Sequence, residues 1–237
     1  MTTAFVSGGS RGIGRSVSRR LAERGFTVYV GCRNPNSLAS MGDFLPGQII
    51  PVHLDLEDPS SVATLEATLR SVPLDLLINN AGIRLEEYDK NPTYSDISLW
   101  RRTFEVNLFG HISVTRALLP SLSIAPFARI VNISSLLASG ATQTDTSSYT
   151  WSKRFKSMPA YSASKSAFNM WTIHLAYECR KSSISCISVH PGYTRTELNG
   201  GEGDRSVEES SSFIVETALN PSIHNGSFVG PEGEIPW

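Results

Sequence analysis

Short apolar runs and longer segments of helical period alternate along the chain, and this alternation limits the fold more than any other feature. Residues 3–7, 27–31, 48–54, 74–79, 129–133 and 183–189 are brief apolar runs closed by turn formers, the pattern of buried strands. Between and after them, residues 12–23, 60–71, 99–122, 161–180 and 207–219 repeat their apolar positions with helical spacing. Strand, helix, strand in that order makes βαβ units, whose crossovers are right-handed and cover both faces of a parallel sheet. The expected fold is α/β, an open doubly wound parallel sheet with helices on both faces and ligands bound beyond the carboxyl ends of its strands. No fixed repeat, low-complexity tract or long Pro/Gly/Ser linker divides the 237 residues, so residues 1–237 read as one domain.

Composition narrows the function classes. With 21 basic and 22 acidic residues the formal charge is −1, which offers no electrostatic footprint for nucleic acid or an anionic bilayer. Cys32, Cys179 and Cys186 are odd in number and far apart, which suits reduced thiols better than a disulfide framework. No CxxC pair or Cys/His cluster suggests a metal. The chain starts Met-Thr-Thr-Ala-Phe-Val-Ser-Gly-Gly without a basic stretch before an apolar one, and it has no run of 18 apolar residues. It therefore reads as soluble and cytoplasmic.

The first strand runs into Ser7-Gly8-Gly9-Ser10-Arg11-Gly12-Ile13-Gly14, and a helix follows. Glycines at Gly8, Gly12 and Gly14 would permit a tight turn, close approach of a pyrophosphate and close helix packing, with helix amides facing the phosphates. The spacing differs from the plain GxGxxG fingerprint, and a glycine turn can be nothing more than a tight connection. The end of the second strand selects between dinucleotides, because an acidic residue there holds a free ribose 2′-hydroxyl. Here it reads Gly31-Cys32-Arg33-Asn34. Arg33, with Arg11, could grip a 2′-phosphate, which points to NADP(H); two solvated arginines are the plainer alternative.

Four separated positions would converge at the far end of such a cofactor: Asn107, Ser135, Tyr161 and Lys165. Tyr161 and Lys165 are four apart, so a helix would put phenol and ammonium on one face and lower the tyrosine pKa. Ser135 could then orient a carbonyl oxygen while Tyr161 donates the proton and a nicotinamide delivers hydride. Each residue taken singly also fits a duller place: an exposed helix face, a satisfied buried amide, or a cap.

Together with Asp55, the run Asn79-Asn80-Ala81-Gly82, Tyr161-Ser162-Ala163-Ser164-Lys165 and Pro191-Gly192, these residues make the chain resemble the short-chain dehydrogenase/reductase family nearly end to end. The resemblance implies a single-domain Rossmann-type fold and a tetrad of Asn107, Ser135, Tyr161 and Lys165. In it Tyr161 is the general acid/base, Lys165 also bonds the nicotinamide ribose, Ser135 orients the substrate, and Asn107 holds a water linking Lys165 to solvent. It also implies that Asp55 contacts the adenine, that Asn80 and Gly82 line the cofactor cleft, and that Thr196 reaches the carboxamide. Ser10, Ile13, Leu56, Ala81, Pro191, Gly192 and Thr194 complete the cofactor contacts it implies. A looser resemblance, carried by residues 206–209 and 226–237, is to the carbonyl-reductase-like subgroup. Two departures are Ser7, where the family generally has threonine, and Gly9, where it often has alanine; both should be tolerated.

Ser135 and Tyr161 are 26 positions apart, about twice the interval in resembling enzymes, so residues 136–160 form an insertion before the tyrosine. Its aromatics could line a substrate entrance or dock on a helix. Tyr149, Trp151 and Phe155 could shield Phe168 and Trp171 and leave the protein a monomer rather than a homodimer or homotetramer. Residues 193–204, short and glycine-rich, make a poor lid and suggest an open pocket. The leading functional expectation is an NADPH-dependent carbonyl reductase acting on a small-molecule ketone or aldehyde. The alternatives are a pathway-specific ketoreductase and a non-catalytic NADPH-binding sensor or scaffold.

Overall fold

Consecutive residues of the central strands face opposite sides of the sheet, and both sides are apolar. In the first strand Phe5 joins one buried cluster while Ala4 and Val6 join another, as the two-residue period of a strand requires. The same split recurs at Leu77 against Leu76 and Ile78. A strand buried on both faces must be covered by helices on both, and this decides the layering.

The computed structural model describes residues 2–38, 41 and 45–237. In chain order its elements are β1 (Thr3–Ser7), α1 (Gly12–Glu23), β2 (Thr27–Cys32), β3 (Gln48–His53), α2 (Pro59–Leu69), β4 (Leu76–Asn79) and α3 (Ile97–Phe104). A π-helical turn (Glu105–Phe109) joins α3 to α4 (Gly110–Ile124). Next come β5 (Ala128–Ile133), the short helices α5 (Gly140–Thr144) and α6 (Lys153–Lys156), α7 (Pro159–Cys179), β6 (Ile184–Val189) and α8 (Val207–Leu219). β7 (Phe228–Gly230) and β8 (Gly233–Glu234) follow. The strands form one sheet in the order β3-β2-β1-β4-β5-β6-β7-β8. Pairing is parallel throughout except for the antiparallel β7–β8 pair. Helices α2, α4 and α7 supply Leu65, Leu118 and Leu175 to one face; α1 and α8 supply Leu21 and Ile214 to the other. This is the single-domain doubly wound parallel α/β fold that the sequence predicts, with the order reversing between β1 and β4.

Three local features differ from the sequence expectation. The helix predicted over 99–122 is interrupted by the π turn, which inserts a residue and turns Val106, Asn107 and Leu108 inward. β7 and β8 are too short, three and two residues, to show a period. The insertion holds two short helices, and its aromatics make their ring contacts away from Phe168. Tyr149 and Phe155 pack on Tyr193, with ring centroids 6.2 Å and 5.5 Å away. Trp151 stays half exposed under Lys156, while Phe168 is buried within the protein itself and stacks on His111. Tyr149 and Phe155 therefore lie against the segment after β6, at the carboxyl edge of the sheet, rather than against Phe168. Among the described residues, no helix is long and apolar enough to cross a membrane.

Candidate active site

The site begins where β1 turns into α1. Gly8 has φ +68°, and a Cβ there would stand 2.8 Å from the Ala81 Cα, so a side chain would push apart the segments following β1 and β4. At Gly14 a Cβ would stand 2.4 Å from both the Gly8 carbonyl oxygen and Asn80 Nδ2. Ser7 locks the corner. Its Oγ accepts from the amides of Asn80 (2.9 Å) and Ala81 (3.1 Å), and Asn80 Nδ2 donates back to the Ser7 carbonyl at 2.9 Å. Serine thus supplies the bracing hydroxyl at this position.

The first turn of α1 has neither a side-chain cap nor an acidic residue, which leaves its amides and positive dipole end to a ligand. A Cβ on Gly12 would meet nothing nearer than Thr196 Cγ2, 3.9 Å away. That open glycine cradle fits a pyrophosphate. It belongs to a cleft of about 470 Å³ running from Arg33, beyond β2, to Tyr161 and Lys165 on α7.

Most of the residues singled out in the sequence come together on its walls. Gly8, Ser10, Arg11, Gly12, Ile13 and Gly14 form the α1 side; Asp55, Leu56, Asn80, Ala81, Gly82, Pro191 and Thr196 line the remainder. Asn107, Ser135, Gly192 and Thr194 are not on the walls, though Ser134, next to Ser135, is. The Thr194 hydroxyl instead pairs with Ser210 Oγ at 2.7 Å and donates to the Gly192 carbonyl. Arg11 is ion-paired with Glu197 from the segment after β6. Despite its glycines, that segment reaches the cleft with Glu197 and Leu198, and it is tied to the insertion by Arg154–Glu202 at 2.7 Å. Cleft residues that sequence reasoning missed include Glu57 and Arg102, which pair at 3.2 Å. They lie 45 positions apart with no motif to connect them.

Lys165 and Tyr161 share the cleft wall as their helical spacing predicts. The Lys165 ammonium donates to the Ile133 carbonyl at 2.7 Å, and burial lowers its pKa to about 8. Ser135 follows β5, its Oγ accepting from the Leu137 amide at 3.2 Å, and it is near enough to the Tyr161 phenol to favour the phenolate. The phenol pKa differs from the sequence expectation. Burial pushes it up to about 12, outweighing the lowering by the Ser135 hydroxyl and the Arg84 guanidinium. Desolvation of the anion exceeds the attraction of nearby cations, so the phenol is protonated at neutral pH.

Asn107, on the π turn, accepts from the Ile83 amide (2.8 Å) and donates to the Ile83 carbonyl (2.9 Å) and Ser164 Oγ (3.1 Å). It thereby fixes the segment after Gly82 against α7. Beneath the site lies a buried polar chain. Asn79 Nδ2 donates to Asn132 Oδ1 at 2.9 Å, Asn132 Nδ2 to Thr172 Oγ1 at 2.9 Å, and Ser188 Oγ to the same threonine at 2.9 Å. These bonds tie β4, β5 and β6 to α7. Asn132, Thr172 and Ser188 carry no local sequence signal for this pairing.

Comparison with known proteins agrees with this arrangement. The family model for short chain dehydrogenase matches residues 2–206. The short-chain dehydrogenase anuI of Penicillium roqueforti is 31% identical over 228 residues, covering 92% of this chain and 88% of that protein. Human retinol dehydrogenase 13 is 30% identical over 220 residues, 90% of this chain but 65% of the longer relative. Among solved structures, the NADPH-bound carbonyl reductase from chicken fatty liver superposes with a TM-score of 0.86 at 26% identity, over 100% of this chain and 94% of that one. The carbonyl reductase Sniffer of D. melanogaster superposes with a TM-score of 0.82 at 27% identity, over the full length of both chains. A glycine cradle at the sheet's reversal point, a tyrosine and lysine one turn apart on α7, and this sequence match thus place the chain in the short-chain dehydrogenase/reductase family of oxidoreductases, on the carbonyl-reductase-like side.

Proposed function

We propose that the protein is an NADPH-dependent carbonyl reductase. The observation that carries this reading is the Tyr161 side chain, half-buried on the wall of the same cleft as the open glycine cradle, with Lys165 one helical turn away. A reductase must donate a proton to the developing alkoxide, so its acid should be protonated before the reaction. When bound, the reduced nicotinamide supplies the hydride. Ser135 holds the carbonyl oxygen, Tyr161 donates the proton to it, and Lys165, cationic below about pH 8, stabilises the phenolate that results. Asn107 keeps the cleft floor fixed through Ile83 and Ser164. Asp55 and Thr196 act at the two ends of the cofactor.

The preference for NADPH rests on Arg33, which is exposed at the cleft wall beyond β2, where no carboxylate follows the strand. Arg11 joins it on leaving Glu197, exchanging a surface ion pair of small net worth for a charge-assisted phosphate bond. The NADPH-bound structural relative supports the same choice. The test is loss of reduced-nicotinamide absorbance with NADPH and a panel of aldehydes, diketones and bulky ketones. Turnover with NADPH exceeding that with NADH is expected. NADPH binding without turnover on any member would overturn the catalytic reading in favour of a sensor.

A further inference from the structure

Glu86 is a buried acid that the chemistry above does not use. It lies in the segment after β4 and is 6% exposed. Its Oε1 accepts from the backbone amide of Tyr161 at 2.7 Å, across 75 positions of sequence. Its Oε2 is buried and, among the described residues, has no hydrogen-bond partner. Carboxylates are seldom buried so completely, because the charge must be taken out of water, and stabilising a helix does not call for it. α7 already has Pro159 in its first turn, and an exposed Ser, Thr or Asp from the local chain would cap the helix equally well.

The backbone that carries Glu86 is also held by its neighbours. Arg84 donates to the Glu86 carbonyl oxygen and to the Leu198 carbonyl, and its guanidinium lies 4.1 Å from the centre of the Tyr88 ring. Arg154 of the insertion covers the same ring at 3.5 Å. Residues 84–88 are therefore clamped from both sides, and the clamp ends on the amide of the residue that carries the phenol.

We propose that Glu86 is a positioning residue for Tyr161, holding the first turn of α7 so that the phenol meets the substrate oxygen, and setting its charge environment. The proposal rests on the reading of Tyr161 as proton donor. The charged and titratable groups around the phenol are Arg84, Glu86 and Tyr88 after β4, Tyr149 of the insertion, and Lys165 one turn along α7. Glu86 and Tyr88 raise the phenol pKa; Arg84 lowers it. A neutral side chain at position 86 therefore makes the phenolate easier to form.

Two variants separate geometry from charge, with Tyr161→Phe as control. Glu86→Ala removes the acceptor. It is expected to lower kcat about tenfold to a hundredfold, as a misplaced acid does, with KM for NADPH within about twofold. Glu86→Gln keeps an acceptor for the amide, so most of kcat should return. In the alcohol-oxidising direction, which needs the phenolate, the rising limb of its pH profile should move to lower pH. A merely structural cap would lower Tm while leaving kcat and the limb unmoved, and that result overturns the proposal. If Glu86→Ala does not fold, the Glu86→Gln limb decides alone, and an unmoved limb refutes it. Full activity of Tyr161→Phe would defeat the proton-donor reading itself, a separate failure.

Discussion

The packing of Gly9 gives a sharp test of how the cofactor turn is built. A Cβ on Gly9 would lie 2.2 Å from Val30 Cγ1 and 3.3 Å from Ser18 Oγ, and Val30 is fully buried on β2. Carbon atoms settle about 3.5–4.0 Å apart, so either Val30 or the turn must move. Glycine here, where related chains often have alanine, is matched to the valine opposite, so alanine does not fit at this position without movement. Gly9 is not in the left-handed region, so alanine brings no backbone strain and the clash stands alone. Gly9→Ala should cost about 1–3 kcal/mol from overpacking, offset by about 0.4–1 kcal/mol from the stiffer unfolded chain. Val30→Ala should cost about 2 kcal/mol, two methyl groups' worth of transfer energy plus a cavity term. The double variant puts the new methyl into the space vacated by Cγ1. Its total cost should therefore fall short of the two single costs together by at least about 1 kcal/mol. Urea midpoints of the four proteins at unchanged m-value measure this directly. Additivity within about 0.5 kcal/mol, or a Gly9→Ala that stabilises by itself, would refute the reasoning.

The remaining predictions concern chemistry and pH. Tyr161→Phe should reduce carbonyl turnover by at least about a hundredfold while NADPH affinity, followed by fluorescence, stays near normal; Lys165→Ala should impair both. Arg33→Asp should weaken NADPH by about 1–3 kcal/mol, a lost charge-assisted contact plus repulsion, and leave NADH nearly unaffected; an equal effect on both cofactors would remove Arg33 from the 2′-phosphate. Burial depresses His111 to about 3 and His190 to about 4, below the ordinary 6.5. Below pH 6.5 the unfolded chain takes up protons that the folded one refuses, so stability is full above that pH and lost as pH falls. At pH 5 the loss is about 2 kcal/mol for each histidine. Guanidinium midpoints at pH 7 and pH 5 should show it, and His111→Gln should flatten the dependence.

What the sequence determined by itself follows from local periods and short spacings. Six of the strands and the doubly wound class were legible because strands such as β1 are fully buried, so their apolar runs are unbroken. The glycine cradle was legible because Gly8, Gly12 and Gly14 act within one turn, and Tyr161 with Lys165 because four positions on a helix bring two side chains to one face. Tertiary structure alone decided whatever depends on segments distant in the chain. The π turn that aims Asn107 at Ile83, the ion pair holding Arg11 to Glu197 and the docking of the insertion on Tyr88 and Tyr193 have no periodic trace. The phenol pKa is the clearest instance. The i, i+4 lysine argued for lowering, but the total depends on burial, which many remote residues create together. In the folded protein that desolvation outweighs the neighbouring charges, since the cost of removing an anion from water is set by the whole surrounding volume rather than by the residue one turn away.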